Sequence, residues 1–231
     1  MNKRNIIVIC AVVVLIIIIW TAVRAMNNKN NSSENVNTEI TTESVEPLTN
    51  EAASDKISGY LEEQDHIMHT MMEAMGSVES SGSADVNFLM GMIPHHESAV
   101  EMAKSYLKYG AENESMKSLA ENIIKTQNEE ITQMNNMVKS INTENANTDN
   151  EKAYINEYMN MMQHGHSHNN ANYENIDMAF AEGMMKHHQM AVDMAEIIIK
   201  YGEDEQVKRL AENIIETQKK EIEEMNNFLN S

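Results

Sequence analysis

The chain carries one long motif twice, as MIPHHESAVEMAKSYLKY at residues 92–109 and as MMKHHQMAVDMAEIIIKY at residues 184–201. A second pair follows, LAENIIKTQNEEITQMNNM at residues 119–137 and LAENIIETQKKEIEEMNNF at residues 210–228. Self-similarity over segments of this length indicates an internal repeat in which each copy is one supersecondary unit. The fold is therefore expected to be a doubled one.

Apolar residues recur in both copies at the spacing of an amphipathic helix, and nothing alternates convincingly like a strand. Each copy predicts a long helix, a stop at Gly110 or Gly202, and a second helix. These helices are predicted at residues 84–109, 114–139, 173–201 and 204–229, with a shorter Met-rich helix before each pair, at 57–75 and 152–162. The predicted fold is all-α, a four-helix bundle formed by two repeats, with Pro94 bending its helix.

The N-terminal region reads differently from the rest of the chain. Residues 6–23 form an almost unbroken apolar run, near the length that spans a bilayer. We expect a single-pass transmembrane signal anchor, with residues 1–5 in the cytoplasm and the remainder outside; a cleaved signal peptide and a secreted protein are the alternative. Residues 24–51 predict a flexible polar linker. The helical domain then occupies residues 52–231, with repeat one at 52–141 and repeat two at 149–231.

Composition narrows the classes of partner. The net charge of -19 argues against nucleic acid and anionic lipid heads and favours cations. The single cysteine, Cys10, lies in the apolar run, so the domain has no disulfide framework and no thiolate metal site. Methionine, at 21 of 231 residues, must supply any soft ligand. No pattern indicates hydrolytic or nucleotide chemistry, and we expect a protein that is not an enzyme.

Methionine and histidine share one face of each long helix. At 100° per residue, both sets below fall within an arc of about 120°. Thioether sulfur is a soft donor and imidazole an intermediate one, so such a face favours copper(I) or silver(I) over ions that prefer oxygen. Antiparallel packing could bring the two faces together. The predicted ligands are Met92, His95, His96 and Met102 in the first copy, and Met184, His187, His188 and Met194 in the second.

Two further groups extend the pattern. The first short helix carries His66, His69 and Met72, and a glycine-containing turn carries His164, His166 and His168, which suit copper(II), nickel or zinc. The plain alternative is that the methionines fill the core and the exposed histidines are idle.

Polar residues also recur at matching places in the second helix of each copy. Gln127 and Gln218 interrupt the aliphatic seam, and they either orient ligand histidines or make a buried interhelical hydrogen bond. The acidic residues at 121, 130, 212 and 221 are assigned to the solvated outer face or to helix pairing.

The repeated motif also carries a family resemblance. It consists of Met92-Ile93-Pro94-His95-His96-Glu97 with residues 99–103, its second copy at 184–195, and the segments Leu119–Ile124, Thr126-Gln127 and Glu130-Ile131. Across essentially everything after the linker, the chain resembles the DUF305 family of exported bacterial proteins. The resemblance implies a ferritin-like helical bundle, and some members are associated with copper binding and copper resistance. Lys186 replaces the proline of the first motif, and Glu97 stands where glutamine is common.

Three functions compete at this point. The leading hypothesis is a tethered protein that sequesters or delivers copper(I) and contributes to copper tolerance. The second is a helical scaffold or sensor whose methionines only pack. The third, a di-iron oxidase, needs two Glu-x-x-His motifs, and only Glu63 to His66 has that spacing. The expected partners are a metal ion and, through the anchor, the membrane; a homo-oligomer and a copper-transfer partner stay open.

Overall fold

The structure, a computed structural model, describes residues 50–164 and 173–231, with side chains from residue 54 to 163 and from 173 onward. The described residues form six helices and no strand, which confirms the all-α class for this part of the chain. The helices are α1 (Asn50–Gly76), α2 (Ala84–Tyr109), α3 (Glu114–Ser140), α4 (Thr148–His164), α5 (Ile176–Tyr201) and α6 (Glu205–Leu229).

The prediction of a short first helix is wrong, because α1 has 27 residues and begins at Asn50, inside the expected linker. Its first two turns, residues 50–56, are polar apart from two alanines, so they carry no apolar stripe from which periodicity could predict a helix. Helix α4 is likewise longer than predicted, with 17 residues. Helix α5 begins three residues later than predicted, since Asn175 caps it by accepting a hydrogen bond from the backbone N–H of Met178.

The two predicted glycine stops end their helices for different reasons. Gly110 has a φ of 91°, a left-handed conformation that glycine adopts without steric cost. Gly202 has an ordinary φ of -67°, but a Cβ there would meet Asp85 Oδ1 at 2.7 Å. The first glycine is therefore required by its backbone angle, and the second by close approach of a carboxylate.

Two aspartates tie the repeats together reciprocally. Asp177 on α5 accepts hydrogen bonds from the backbone N–H groups of Glu112 and Asn113, just before α3. Asp85 on α2 accepts from the backbone N–H of Glu203, just before α6, at 3.0 Å. Each first helix thus holds the start of the other repeat's second helix.

The core helices pack as two hairpins, α2 with α3 and α5 with α6, joined through α2 and α5, while α1 packs on α2 and α4 packs on both α5 and α2. Pro94 lies inside α2, which is continuous through it. The buried side chains form two clusters. The first cluster lies around Phe88 and the second around Phe180, its counterpart in repeat two.

Several predictions fall on residues that the structure does not describe. These are the anchor at 6–23, almost all of the linker at 24–51, and the side chains of His164, His166 and His168. Among the helices that are described, none has the length and apolar character to cross a membrane.

Candidate metal centre

Two histidines meet where α2 and α5 cross. His95 and His187 are both completely buried, and their ring centroids lie 3.9 Å apart. The Nε2 of His95 donates a hydrogen bond to the backbone oxygen of His187, at 3.1 Å. Because a carbonyl only accepts, His95 must carry its proton on Nε2, and its Nδ1 must carry the lone pair.

Ser98 fixes His187 in the same protonation pattern. Its hydroxyl donates to the backbone oxygen of His95 at 2.6 Å, so its only hydrogen is engaged. The same oxygen lies 2.7 Å from Nε2 of His187 and must accept there. His187 therefore also keeps its proton on Nε2.

The neighbouring histidines face the outer helices of their own repeats. His96 Nε2 donates to Glu130 Oε2 on α3 at 2.8 Å. His188 Nε2 lies 2.8 Å from Glu221 Oε2 on α6, although the approach lacks hydrogen-bond geometry. A carboxylate beside Nε2 favours the proton on that nitrogen in both rings.

All four histidines consequently share one property. The Nδ1 atoms of His95, His96, His187 and His188 are buried and have no hydrogen-bond partner among the described residues. A buried polar atom without a partner is costly, and an unexplained one calls for a water or an ion. The four unpaired Nδ1 atoms belong to two adjacent pairs of histidines on α2 and α5, and they are the candidate ligand atoms of this region.

Burial also sets the charge state of the central pair. It lowers the pKa of His95 and of His187 well below the usual value, and the neighbouring imidazoles lower it further. Both rings are therefore neutral at physiological pH, which is the form that binds a metal ion.

The predicted methionine ligands are buried, and each core cluster contains one from either repeat. Met92 lies in the first cluster with Met194, and Met102 lies in the second cluster with Met184. All four are at most 2% exposed. The face predicted to unite Met92 with Met102 is thus shared between the clusters, because each antiparallel helix contributes one methionine to either side of the crossing.

Sequence reasoning missed Glu130, Glu221 and Ser98. The two glutamates were assigned to the outer face or to helix pairing, yet they turn inward to the histidines, with side chains 15% and 11% exposed. Their recurrence at the same place in both copies was the available signal. Ser98 has no such signal, since repeat two carries Met190 at the matching position.

In the described part of the chain, the contacts of Gln127 and Gln218 show neither the predicted orientation of ligand histidines nor the alternative, a buried interhelical hydrogen bond. Gln127 is 2% exposed, and its amide nitrogen and oxygen have no hydrogen-bond partner among the described residues. The oxygen of Gln218 has none either. Each lies one turn before the glutamate that faces a histidine, so each adds an unsatisfied polar group beside the centre.

The histidines of α1 lie elsewhere. His66 and His69 are exposed, and His69 Nδ1 lies 3.8 Å from Glu73 on its own helix. Met72 is half-buried at the edge of the first cluster, while Met71 and Met75 are buried within it. The structure does not bring the α1 histidines to the buried four.

Among the described residues, nitrogen and oxygen donors alone do not form a preformed metal site at the crossing. Within residues 50–164 and 173–231, no three side chains of His, Cys, Asp or Glu stand so that they could hold one ion. A site of nitrogen and oxygen donors alone, as zinc or iron prefers, is therefore not preformed in the described part of the chain.

The comparisons with known proteins come from sequence and from fold. The family model described as "Domain of unknown function (DUF305)" matches residues 23–138 and again residues 85–229. The putative secreted DUF305 protein from Streptomyces coelicolor has a similar fold, with a TM-score of 0.51 and 24% identity over 65% of this chain and 94% of that one. CopM in an Ag-bound form is 29% identical with a TM-score of 0.48, over 63% and 95% of the respective chains.

One curated relative also matches. The uncharacterized protein L153 of Acanthamoeba polyphaga mimivirus is 42% identical over 53 residues, which is 23% of this chain. The match spans 35% of that protein, about a third of its length.

Proposed function

The chain belongs to the DUF305 family, and we propose that it binds a soft metal ion, copper(I) by preference, at the crossing of α2 and α5. Silver(I) shares the chemistry, and copper(II) would use the imidazoles more than the sulfurs. In this proposal the metal is cargo that the protein sequesters or delivers, and no catalysis is involved.

The observation that carries the proposal is the set of four buried, unpaired Nδ1 atoms. Hydrogen bonds or close carboxylates occupy the Nε2 side of His95, His96, His187 and His188, and none occupies the Nδ1 side. A fold that only packed these rings would leave all four lone pairs unsatisfied. A cation relieves that cost.

The donor chemistry favours copper(I) over other metals. Neutral imidazoles and neutral thioethers are the side chains available, and no group of three His, Asp or Glu is preformed among the described residues. Soft, monovalent copper accepts such ligands, whereas calcium and magnesium require oxygen and zinc rarely uses methionine.

Charge balance supports a buried cation. An unpaired charge in a protein interior is expensive, so a site for a cation needs a nearby anion. Glu130 and Glu221 lie beside the imidazoles of His96 and His188, and the whole chain carries a net charge of -19. Both the local and the overall charge favour cation entry.

The proposed location is outside the cytoplasm. The apolar run at residues 6–23 supports a membrane anchor, or a secreted form after its cleavage. A metal-binding domain in that position would contribute to copper tolerance or homeostasis.

The alternative of a helical scaffold or sensor keeps one supporting observation. The methionines of both clusters lie among ordinary aliphatic core residues, as they would if they only packed. A di-iron oxidase has less support, because Glu63 of its one matching motif pairs with Lys108 at 2.6 Å and His66 is exposed.

The test is a copper(I) titration of the full-length protein against a competing chelator. We expect the variant H95Q/H96Q/H187Q/H188Q to lose at least about 100-fold in affinity, which is about 2.7 kcal/mol. The matched control, H66Q/H69Q, removes two exposed histidines and should bind like the wild type. Wild-type affinity in the fourfold variant would overturn the histidine centre.

A further inference from the structure

Methionine recurs selectively between the two copies. Within the matched segments, three positions carry methionine in both copies: 92 and 184, 102 and 194, and 134 and 225. At other positions of these segments, a methionine in one copy aligns with a different residue in the other, as Met137 does with Phe228 and Met190 with Ser98. Packing alone tolerates replacement at those other positions, so sulfur itself is not required there.

The six recurrent methionines divide equally between the two core clusters and are grouped below as two trios. The first trio, Met92, Met134 and Met194, lies in the first cluster, and the second trio, Met184, Met225 and Met102, lies in the second cluster. All six are at most 2% exposed. Each trio takes two methionines from one repeat and one from the other, so the two are related by the internal symmetry.

The helix register places the first two members of each trio face to face. Helices α2 and α3 run antiparallel, and the contact of His96 with Glu130 fixes their register. Met92 lies four residues before that histidine and Met134 four residues after that glutamate, so both lie one turn away on the same side. Met184 and Met225 have the same relation to the contact of His188 with Glu221.

Glycines admit the third member. The methyl carbon of Met194 lies 3.4 Å from where a side chain on Gly91 would begin, next to Met92 in sequence. The methyl carbon of Met102 lies 3.8 Å from the same point on Gly183, next to Met184. Each long helix thus offers a glycine to the methionine that crosses from the other repeat.

We propose that each trio is a three-thioether site for a monovalent soft cation, copper(I) or silver(I), with Met134 and Met225 as ligands. This rests on the proposed function and extends it from the histidine centre to two symmetric sulfur sites. Thioethers carry no proton, so these sites bind their cation without releasing one. Glu130 and Glu221, one turn away, offset the positive charge.

The first test compares two double variants of the full-length protein by silver(I) titration against a competing ligand. M134L/M225L removes one sulfur from each trio and nearly keeps side-chain volume, and we expect affinity to fall at least about tenfold. The control, M116L/M137L, changes two other buried methionines of α3, whose equivalents in α6 are Val207 and Phe228. The control should stay within about twofold of the wild type.

The second test needs no substitution. In wild-type protein labelled with ¹³C at methionine methyl groups, the signals of Met134 and Met225 should shift with the first equivalents of silver(I), before those of Met116 and Met137. Unshifted signals, or wild-type affinity in M134L/M225L, would overturn the two trios. The histidine centre would stand in that case if the variant H95Q/H96Q/H187Q/H188Q still lost binding. A wild-type protein that took up no silver(I) and no copper(I) would overturn both proposals.

Discussion

The outer face of α1 and the crossing of α2 with α5 look alike in sequence and differ in the structure. Both carry two or more histidines among methionines. On α1, His66 and His69 are exposed, whereas all four histidines at the crossing are fully buried. Similar composition therefore leads to different surroundings, because the crossing buries its histidines and α1 leaves its two in solvent.

The physical reason lies in what surrounds each nitrogen. Water can satisfy both nitrogens of an exposed imidazole. At the crossing, protein groups engage one nitrogen and leave the other without a partner. Of the two places, only the crossing leaves buried imidazole nitrogens without a protein partner.

The largest expected effect is the difference in stability between alanine substitutions of buried and of exposed methionines. Replacement of Met92 or Met184, both fully buried, by alanine should lower the free energy of unfolding by about 2–5 kcal/mol, because a cavity is left in the core. Met90, 38% exposed on the same helix as Met92, should change it by no more than about 0.5 kcal/mol as alanine. Urea unfolding of the metal-free protein measures both, and equal effects would remove the distinction between core and surface.

The free energy of unfolding should decrease as the pH is lowered, because His95 and His187 are buried as neutral rings. Burial lowers the pKa of His95 and His187, so the folded protein keeps them neutral while the unfolded chain protonates them below about pH 6.5. The unfolded state then binds more protons, and each ring should remove about 1.4 kcal/mol of stability per pH unit as the pH falls further. Urea unfolding curves of the metal-free protein, recorded about every half pH unit between pH 7.5 and 5, check this.

The matched controls sharpen the pH experiment. The variant H95Q/H187Q should show a shallower loss of stability in this window, and H66Q/H69Q should follow the wild type. A wild-type slope unchanged by H95Q/H187Q would contradict the neutral buried pair.

A smaller effect is expected from the carboxylates beside the outer imidazoles. E130Q and E221Q keep an oxygen near Nε2 of His96 and His188 but remove the negative charge. Each should weaken copper(I) binding about 10-fold, at the lower end of what partners of metal ligands contribute. Competition titration measures this, with the exposed E129Q on the same helix as control. Full affinity in both variants would show that the charge of a bound ion is balanced elsewhere.

A further effect on stability should come from the aspartates that tie the repeats. D85A should cost about 1 kcal/mol of stability, because it removes the acceptor for the backbone N–H of Glu203. D177A should cost slightly more, about 2 kcal/mol, since Asp177 also accepts the buried hydroxyl of Tyr106. Thermal unfolding ranks the two, and the reverse order would mean that the Tyr106 hydrogen bond contributes little.

Much of the fold could be predicted because the signals were local and doubled. The repeat, the helical periodicity and the stops at Gly110 and Gly202 gave α2, α3 and α6 to within a residue. The beginning of α1 could not be predicted in this way, since its polar first turns lack an apolar stripe. Its length depends on helix propensity, which periodicity does not detect.

The candidate site was predictable only in its residue types. Angular position on one helix marked His95 and Met92 as neighbours of the seam, but it could not show that Met92 would lie with Met194 rather than with Met102. That pairing depends on the register between α2 and α5, which the sequence of neither helix contains. The inward turn of Glu130 depends in the same way on the register of α2 with α3.

We expect the four buried imidazoles to carry their protons on Nε2 and to offer Nδ1 to a soft cation. Two-dimensional ¹H–¹⁵N correlation spectra of the metal-free protein, labelled with ¹⁵N at histidine, report the tautomer of each ring directly. The expected result is a change in the Nδ1 signals when silver(I) is added, from rings that start in the Nε2–H form: His95, His96, His187 and His188. Nδ1–H forms at these residues, or Nδ1 signals indifferent to silver(I), would contradict it.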